Sequence, residues 1–196
     1  MSKKVLEKPP IQKRYQDKIV PALMKKHKLK NKLAVPRIKK VVINMGVSQP
    51  QDARARKNAI NNYVDQLQVI SGQKPVVTLA KKSISTYKLR EGDPLGVMVI
   101  LRGRRMWEFL NNLVSITLPR VKDFRGISNR AFDGHGNYSL GLEEQIVFSE
   151  IEYDKIATIK GLQINIVSTT NSNELMKSLL VEMGFPFEKE TKKVKN

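Results

Sequence analysis

The chain has no cysteine. Disulfides, thiolate catalysis and the usual structural zinc sites are thereby excluded, and a reducing cytoplasm is a compatible setting. Histidine is nearly absent too. His27 and His135 stand far apart, and a metal site built on them would need carboxylates that no spacing supplies. No apolar run approaches the ~20 residues that span a bilayer. The first ten residues, MSKKVLEKPP, lack the apolar stretch of a secretory signal.

Acidic side chains are scarce where basic ones are dense. Lys and Arg number 36 against 18 Asp and Glu, for a net charge of +18. Residues 1–40 carry 14 basic and 2 acidic side chains, net +12. Residues 41–130 carry 15 and 6, net +9, whereas residues 131–196 carry 7 and 10, net −3. A basic front and a mildly acidic back suit laying one side on a polyanion. Nucleic acid is one such partner and an anionic membrane surface is the rival. With 196 residues, 40% of them hydrophobic, the chain is long enough for one domain with a sizeable core.

Residues 1–10 read as a basic flexible extension ending in Pro9-Pro10, and 188–196 as a polar tail. Between them, 11–187 reads as one domain. Ile11, Tyr15, Ile19, Leu23 and His27 recur every four residues, predicting a helix that Pro21 should kink or divide. Strands are expected over 38–47, 75–80, 84–90, 95–102, 144–151 and 162–169. Helices are expected over 51–72, 105–118 (ended by Pro119) and 171–184, the last with Asn171 as a possible N-cap. Residues 120–141 show no clean period and read as a long loop. Adjacent strands with short connections predict an α+β fold, a largely antiparallel sheet of five or six strands with about four helices mainly on one face.

Catalytic patterns are missing. Gly134-His135-Gly136 is not a dinucleotide-binding glycine pattern, and Gly72-Gln73-Lys74 lacks the rest of a phosphate loop. Ser139 has no nucleophile elbow around it. RAFDGHGNYSLGL (130–142) therefore offers the parts of a site without its partners. A hydrolase would need a carboxylate or His cluster near the basic face. The acids Glu143, Glu144, Glu150, Glu152 and Asp154 gather elsewhere, read as one solvated face of a strand and its exit loop.

Nucleic-acid signals are richer. In TLAKKSISTYKLREG (78–92), Lys81, Lys82, Lys88 and Arg90 surround Ser83, Ser85, Thr86 and Tyr87. Cations pair with phosphates, hydroxyls bond phosphate and ribose oxygens, and an aromatic can stack on an unpaired base. An ordinary basic hairpin edge has the same composition. Arg102, Arg104 and Arg105 cluster at a strand-to-helix junction, and Lys122, Arg125 and Arg130 lie on the following loop. Trp107, at a helix start, reads as core. Asn44 interrupts an apolar strand before Met45-Gly46; it could satisfy nearby backbone or face RNA.

Four stretches, VPRIKKVVINMGV, ISGQKPVVTLAKKSISTYKLREGDPLG, LRGRRMWEFLNNLVSITLPRVKDFRG and AFDGHGNYSLGLEEQIVF, follow one another in an order that closely resembles the bacterial-type ribosomal protein L5 family. The resemblance runs from about Ile11 to about Phe187. It implies a curved sheet with helices on its other side, no enzymatic activity, no cofactor and no metal. It implies a cytoplasmic ribosomal protein of the central protuberance, beside neighbouring ribosomal proteins and large-subunit rRNA. Asn44, Gln73 and Tyr87 match positions of the family's 5S rRNA contact surface. Arg90 and Arg102 are added here from the charge pattern. The family often has Thr where this chain has Ile100, which removes one hydroxyl. The resemblance implies that Lys81, Lys82, Ser83, Ser85 and Thr86 face the elbow of the P-site tRNA. It implies that the loop bearing Arg130, Asp133, His135 and Asn137 reaches a protein of the small-subunit head.

Overall fold

The computed structural model describes residues 9–46, 53–152, 156 and 158–188. The expected basic extension lies outside the described residues up to residue 8. Pro9 is buried and Pro10 already opens the first helix. The expected tail lies outside them beyond Glu188.

Five strands form one open antiparallel sheet: β1 (Ile38–Gly46), β2 (Val76–Leu79), β3 (Pro94–Leu101), β4 (Tyr138–Leu142) and β5 (Leu162–Ser168). Their spatial order is β2-β3-β1-β5-β4, so β1 is central and β2 and β4 are the edges. Four helices accompany them. Helix α1 runs over 10–26, α2 over Ala53–Ser71, α3 over 103–120 and α4 over Asn173–Met183.

Alternation along the strands decides which side is covered. Val41, Ile43 and Met45 of β1, Val97, Val99 and Leu101 of β3, and Ile164 and Ile166 of β5 are buried. They share one continuous core with the helix stripes Ile11/Tyr15/Ile19/Leu23, Ile60/Tyr63/Leu67, Met106/Leu110/Leu113 and Met176/Leu179/Leu180. All four helices therefore lie on one side, and among the described residues the other side of the sheet carries none. Trp107 is buried, with its ring 5.3 Å from that of Tyr15.

The two prolines inside helices act alike. In α1 the segment Tyr15–Ile19 is a π turn, closed by the Val20 N–H donating to the Tyr15 carbonyl, and Pro21 follows at once. In α3 Leu113–Thr117 is a π turn, closed by Leu118 N–H to the Leu113 carbonyl, and Pro119 follows. A proline ring collides with the carbonyl four residues back, and a widened turn makes room for it. Pro119 thus does not end its helix, which continues to Arg120.

Two expected strands are corrected. Residues 84–90 form a folded tip: one isolated bridge, Ile84↔Leu89, encloses a 3-10 turn at Ser85–Tyr87. Lys88 there takes the left-handed conformation, and Ser83 Oγ accepts from Glu91 N–H at 2.9 Å. The β-prone Ile-Ser-Thr-Tyr run yields to local turn bonds, because among the described residues no neighbouring strand pairs with it. Residues 144–151 hold a 3-10 turn at Gln145–Val147. Their apolar alternation reflects a loop burying Phe148 against Phe109, with ring centroids 6.2 Å apart. Conversely, β4 lies within the expected loop. Its inward residues Tyr138, Leu140 and Leu142 are all buried. Helix α4 is capped by Ser172, whose Oγ accepts from Leu175 N–H, and not by Asn171.

Candidate nucleic-acid interface

The helix-free face is built by the outward residues of the five strands. Register places Asn44 of β1 between Met98 of β3 and Gln163 of β5, with Val76 of β2 beyond Met98 and Gly141 of β4 beyond Gln163. One step along, Val42 lies between Ile100 and Asn165, with Ser139 beyond. Amides and a hydroxyl thus occupy the β1-β5-β4 half, and aliphatic side chains the β3-β2 half. These residues range from half-buried to exposed, Ile100 at 37% and Val76 at 63%. A glycine and short polar side chains keep the face low, so a large flat partner can approach the backbone.

Cations flank this face at both ends. At the β2–β3 end the tip spans Ala80 to Asp93, closed by Ala80 N–H to the Asp93 carbonyl at 2.8 Å. Every residue from Lys81 to Lys88 is exposed, and Tyr87 is 73% exposed. At the opposite end β3 runs into α3 through Arg102 and Gly103, the latter at φ +57°. Arg102 and Arg105 are exposed there, and Arg104 is bound to Glu108 at 2.6 Å. Gln73 stands beside them. Its Nε2 donates to the Ile100 carbonyl at 3.4 Å and its Oε1 accepts from Arg105 Nη1 at 3.5 Å. Both bonds are long, so the amide is oriented while remaining able to exchange partners.

The loop 130–137 is a third surface, held by one carboxylate. Asp133 Oδ1 accepts from the backbone N–H of His135 at 2.8 Å and of Asn137 at 3.0 Å, and Oδ2 accepts from Asn137 Nδ2 at 2.6 Å. Those bonds, the Asn137 side chain first, hold the Asp133 carboxyl below its usual pKa. The turn is fastened to the sheet by Ser168 N–H donating to Asn137 Oδ1 at 3.2 Å and by Ser168 Oγ donating to the Gly136 carbonyl at 2.7 Å. It is fastened to α4 by Gly136 N–H donating to Asn173 Oδ1 at 3.0 Å. His135 and Arg130 are left exposed.

Comparison with known proteins decides the family. A family model described as ribosomal protein L5 matches residues 31–90, and a second, describing the C-terminus of the same ribosomal protein family, matches residues 94–187. The chain is similar to the large ribosomal subunit protein uL5 of Oceanobacillus iheyensis, 51% identical over 179 residues, covering 91% of this chain and 98% of that protein. It is 49% identical to the uL5 of Macrococcus caseolyticus over the same spans. The chain belongs to the ribosomal protein L5 family. It is a structural, non-enzymatic constituent of the large ribosomal subunit.

Within this L5 chain the sites expected from sequence occupy three distinct places. Asn44 is on the open face, with Gln73 and Arg102 at one end of it and Tyr87 and Arg90 at the other. Lys81, Lys82, Ser83, Ser85 and Thr86 share the exposed tip with Tyr87. Arg130, Asp133, His135 and Asn137 sit apart, and the side chains of Asp133 and Asn137 are engaged in holding the turn. Sequence reasoning missed Met98, Gln163 and Asn165. Strand alternation carried the signal for all three, once the register with Asn44 was known. Among the described residues no group of three His, Asp or Glu side chains could hold a metal ion, and no helix is long and apolar enough to cross a membrane.

Proposed function

We propose that residues 11–187 form one RNA-binding unit that clamps 5S rRNA in the central protuberance of a cytoplasmic ribosome, with the helix-free sheet face as the contact surface. The observation that carries this reading is Asn44. It stands on the central strand of an uncovered face, flanked by Met98 and Gln163, with exposed cations at both ends. A-form RNA presents a wide, shallow minor groove lined by 2′-hydroxyls, and short amides on a low sheet suit it. Lys81, Lys82, Arg90, Arg102 and Arg105 supply phosphate contacts that position the RNA. Ile100 offers an apolar contact on this face.

The exposed tip at 81–87 would then face the P-site tRNA elbow. The turn at 130–137 would reach a small-subunit head protein through Arg130 and His135. Asp133 and Asn137 serve that contact by shaping the loop. Neighbouring ribosomal proteins and large-subunit rRNA complete the surroundings.

The test is 5S rRNA affinity of Asn44→Ala and Gln73→Ala. Each is expected to weaken binding about tenfold, by ~1–2 kcal/mol for a lost polar contact, with an unchanged melting profile. Normal binding in both variants would refute the assignment of this face.

A further inference from the structure

We propose that the outer edge of β4 receives an extended, basic segment of a neighbouring protein as a sixth strand of the sheet. This does not rest on the RNA-binding reading, since it uses the in-plane backbone groups at the outer edge of β4 and that reading uses the face of the sheet.

The edge is half closed. Ser139 N–H, pointing away from β5, donates to the Ala131 carbonyl at 3.0 Å, so the first turn of the edge is covered by the chain itself. In an antiparallel ladder the outward groups recur every second residue. The next outward peptide group is Gly141, which is exposed, and among the described residues it has no backbone partner on that side. Beside it runs a groove of about 780 Å³ between β4 and the segment 121–128. Its lining includes the apolar residues Val121, Phe124, Leu140 and Val147. The opposite wall already pairs backbone to backbone in its depth: Ile127 N–H donates to the Pro186 carbonyl at 2.7 Å, and Glu188 N–H to the Ile127 carbonyl at 3.0 Å.

Charge selects the occupant. In a chain of net charge +18, this groove is lined by Asp123, Glu143, Glu144 and Glu188 against Lys122 and Arg125, and all six are exposed. An acidic rim repels phosphate and attracts a cationic polypeptide. An unpaired strand edge is also matched by the repeat of another extended peptide and not by nucleic acid. Gly141 also leaves the sheet face beside that edge clear, because a Cβ placed there would meet no atom within 4 Å. A peptide carrying alternate Lys and apolar residues would bond Gly141, turn its apolar side chains to Leu140 and Val147, and turn its lysines to the glutamates.

The experiment titrates the full chain with a fluorescein-labelled peptide of about nine residues, alternating lysine and valine, and reads anisotropy. Two control peptides are used: one N-methylated at alternate backbone nitrogens, the other with glutamate replacing lysine. Saturable binding of the first peptide alone is expected. Gly141→Pro removes the outward N–H at an edge position that tolerates proline, and should weaken binding roughly five- to tenfold; Gly141→Ala should not. Should Gly141→Pro fold poorly, the N-methylated peptide on the unaltered chain answers the same question. The proposal is overturned by equal binding of the N-methylated peptide, or by displacement of the peptide by 5S rRNA. It is also overturned if β4 edges pair with each other, seen as a dimer in sedimentation. Binding that emerges only after removal of residues 189–196 would assign the groove to the chain's own tail and equally overturn it.

Discussion

Gly134 and Gly136 lie two residues apart in one turn, at φ +87° and +74°, yet alanine should act very differently at the two. At Gly134 an added Cβ meets nothing within 4 Å, so the loss is the left-handed backbone penalty alone, about 1 kcal/mol. At Gly136 the Cβ would lie 2.2 Å from the Thr170 carbonyl oxygen and 2.9 Å from its carbon. Those are backbone atoms and cannot rotate aside. Relief requires the loop to move, which breaks Gly136 N–H to Asn173 Oδ1 and Ser168 Oγ–H to the Gly136 carbonyl. Each bond contributes ~0.5–1.5 kcal/mol, so with the backbone penalty the total cost is about 2–4 kcal/mol. Urea unfolding of Gly134→Ala and Gly136→Ala, with slopes compared, gives both numbers. Equal costs, or a Gly136→Ala loss under ~1 kcal/mol, would refute the steric reasoning. Because the turn displays Arg130 and His135, Gly136→Ala should also weaken subunit joining while 5S rRNA affinity holds.

Burial, with a smaller contribution from Glu188, pushes the Tyr138 hydroxyl up to about 12. The fold favours the neutral phenol, so its contribution is complete below about pH 10 and is lost as pH rises toward 12, on the order of 2 kcal/mol. Tyr138→Phe should be less stable at neutral pH through the lost 2.8 Å bond to the Ser128 carbonyl, and should lack that alkaline decline; an identical pH profile would contradict this. Gln145 is fully buried, donates to the Thr158 carbonyl at 2.8 Å and accepts from Lys160 N–H. Gln145→Ala should lower stability by about 2–4 kcal/mol in thermal unfolding, and a loss below ~1 kcal/mol would show that the 143–161 connection is not pinned there. For the RNA face, Arg102→Gln with Arg105→Gln should reduce the slope of log affinity against log salt by about 1.5, since each lost phosphate contact contributes ~0.7–0.9. An unaltered slope would remove these arginines from the interface.

Long elements with one clean period were legible in the sequence. The helix stripes of α1 and α2, the inward residues of β1 and β3, and Gly72 and Gly184 at helix ends all follow from local pattern, both glycines having positive φ. Failures arose where local pattern and tertiary context diverge. The run 84–90 had strand propensity but, among the described residues, no strand beside it, so turn bonds prevailed. Residues 144–151 alternated because a loop packs over α2 and α3, anchored by Gln145. Strand β4 was hidden by the glycines around it, although Tyr138, Leu140 and Leu142 alternate in plain view. Asn44 was visible as an oddity in its strand; its neighbours Gln163 and Asn165 were not, because only register brings β5 beside β1. For the loop 130–137, composition suggested exposed polar contacts, whereas Asp133 and Asn137 bond mainly to the turn itself. No sequence period encodes such a closed set of local bonds.

The most direct test of the central claim is a matched crosslinking pair. Ile100 on the helix-free face and Val181 on the helical layer are similarly exposed, at 37% and 46%. A photoreactive phenylalanine analogue at each position, irradiated with 5S rRNA, should crosslink efficiently from position 100 and only at background from 181. Equal crosslinking, or a preference for 181, would contradict the assignment of the open sheet face as the RNA surface.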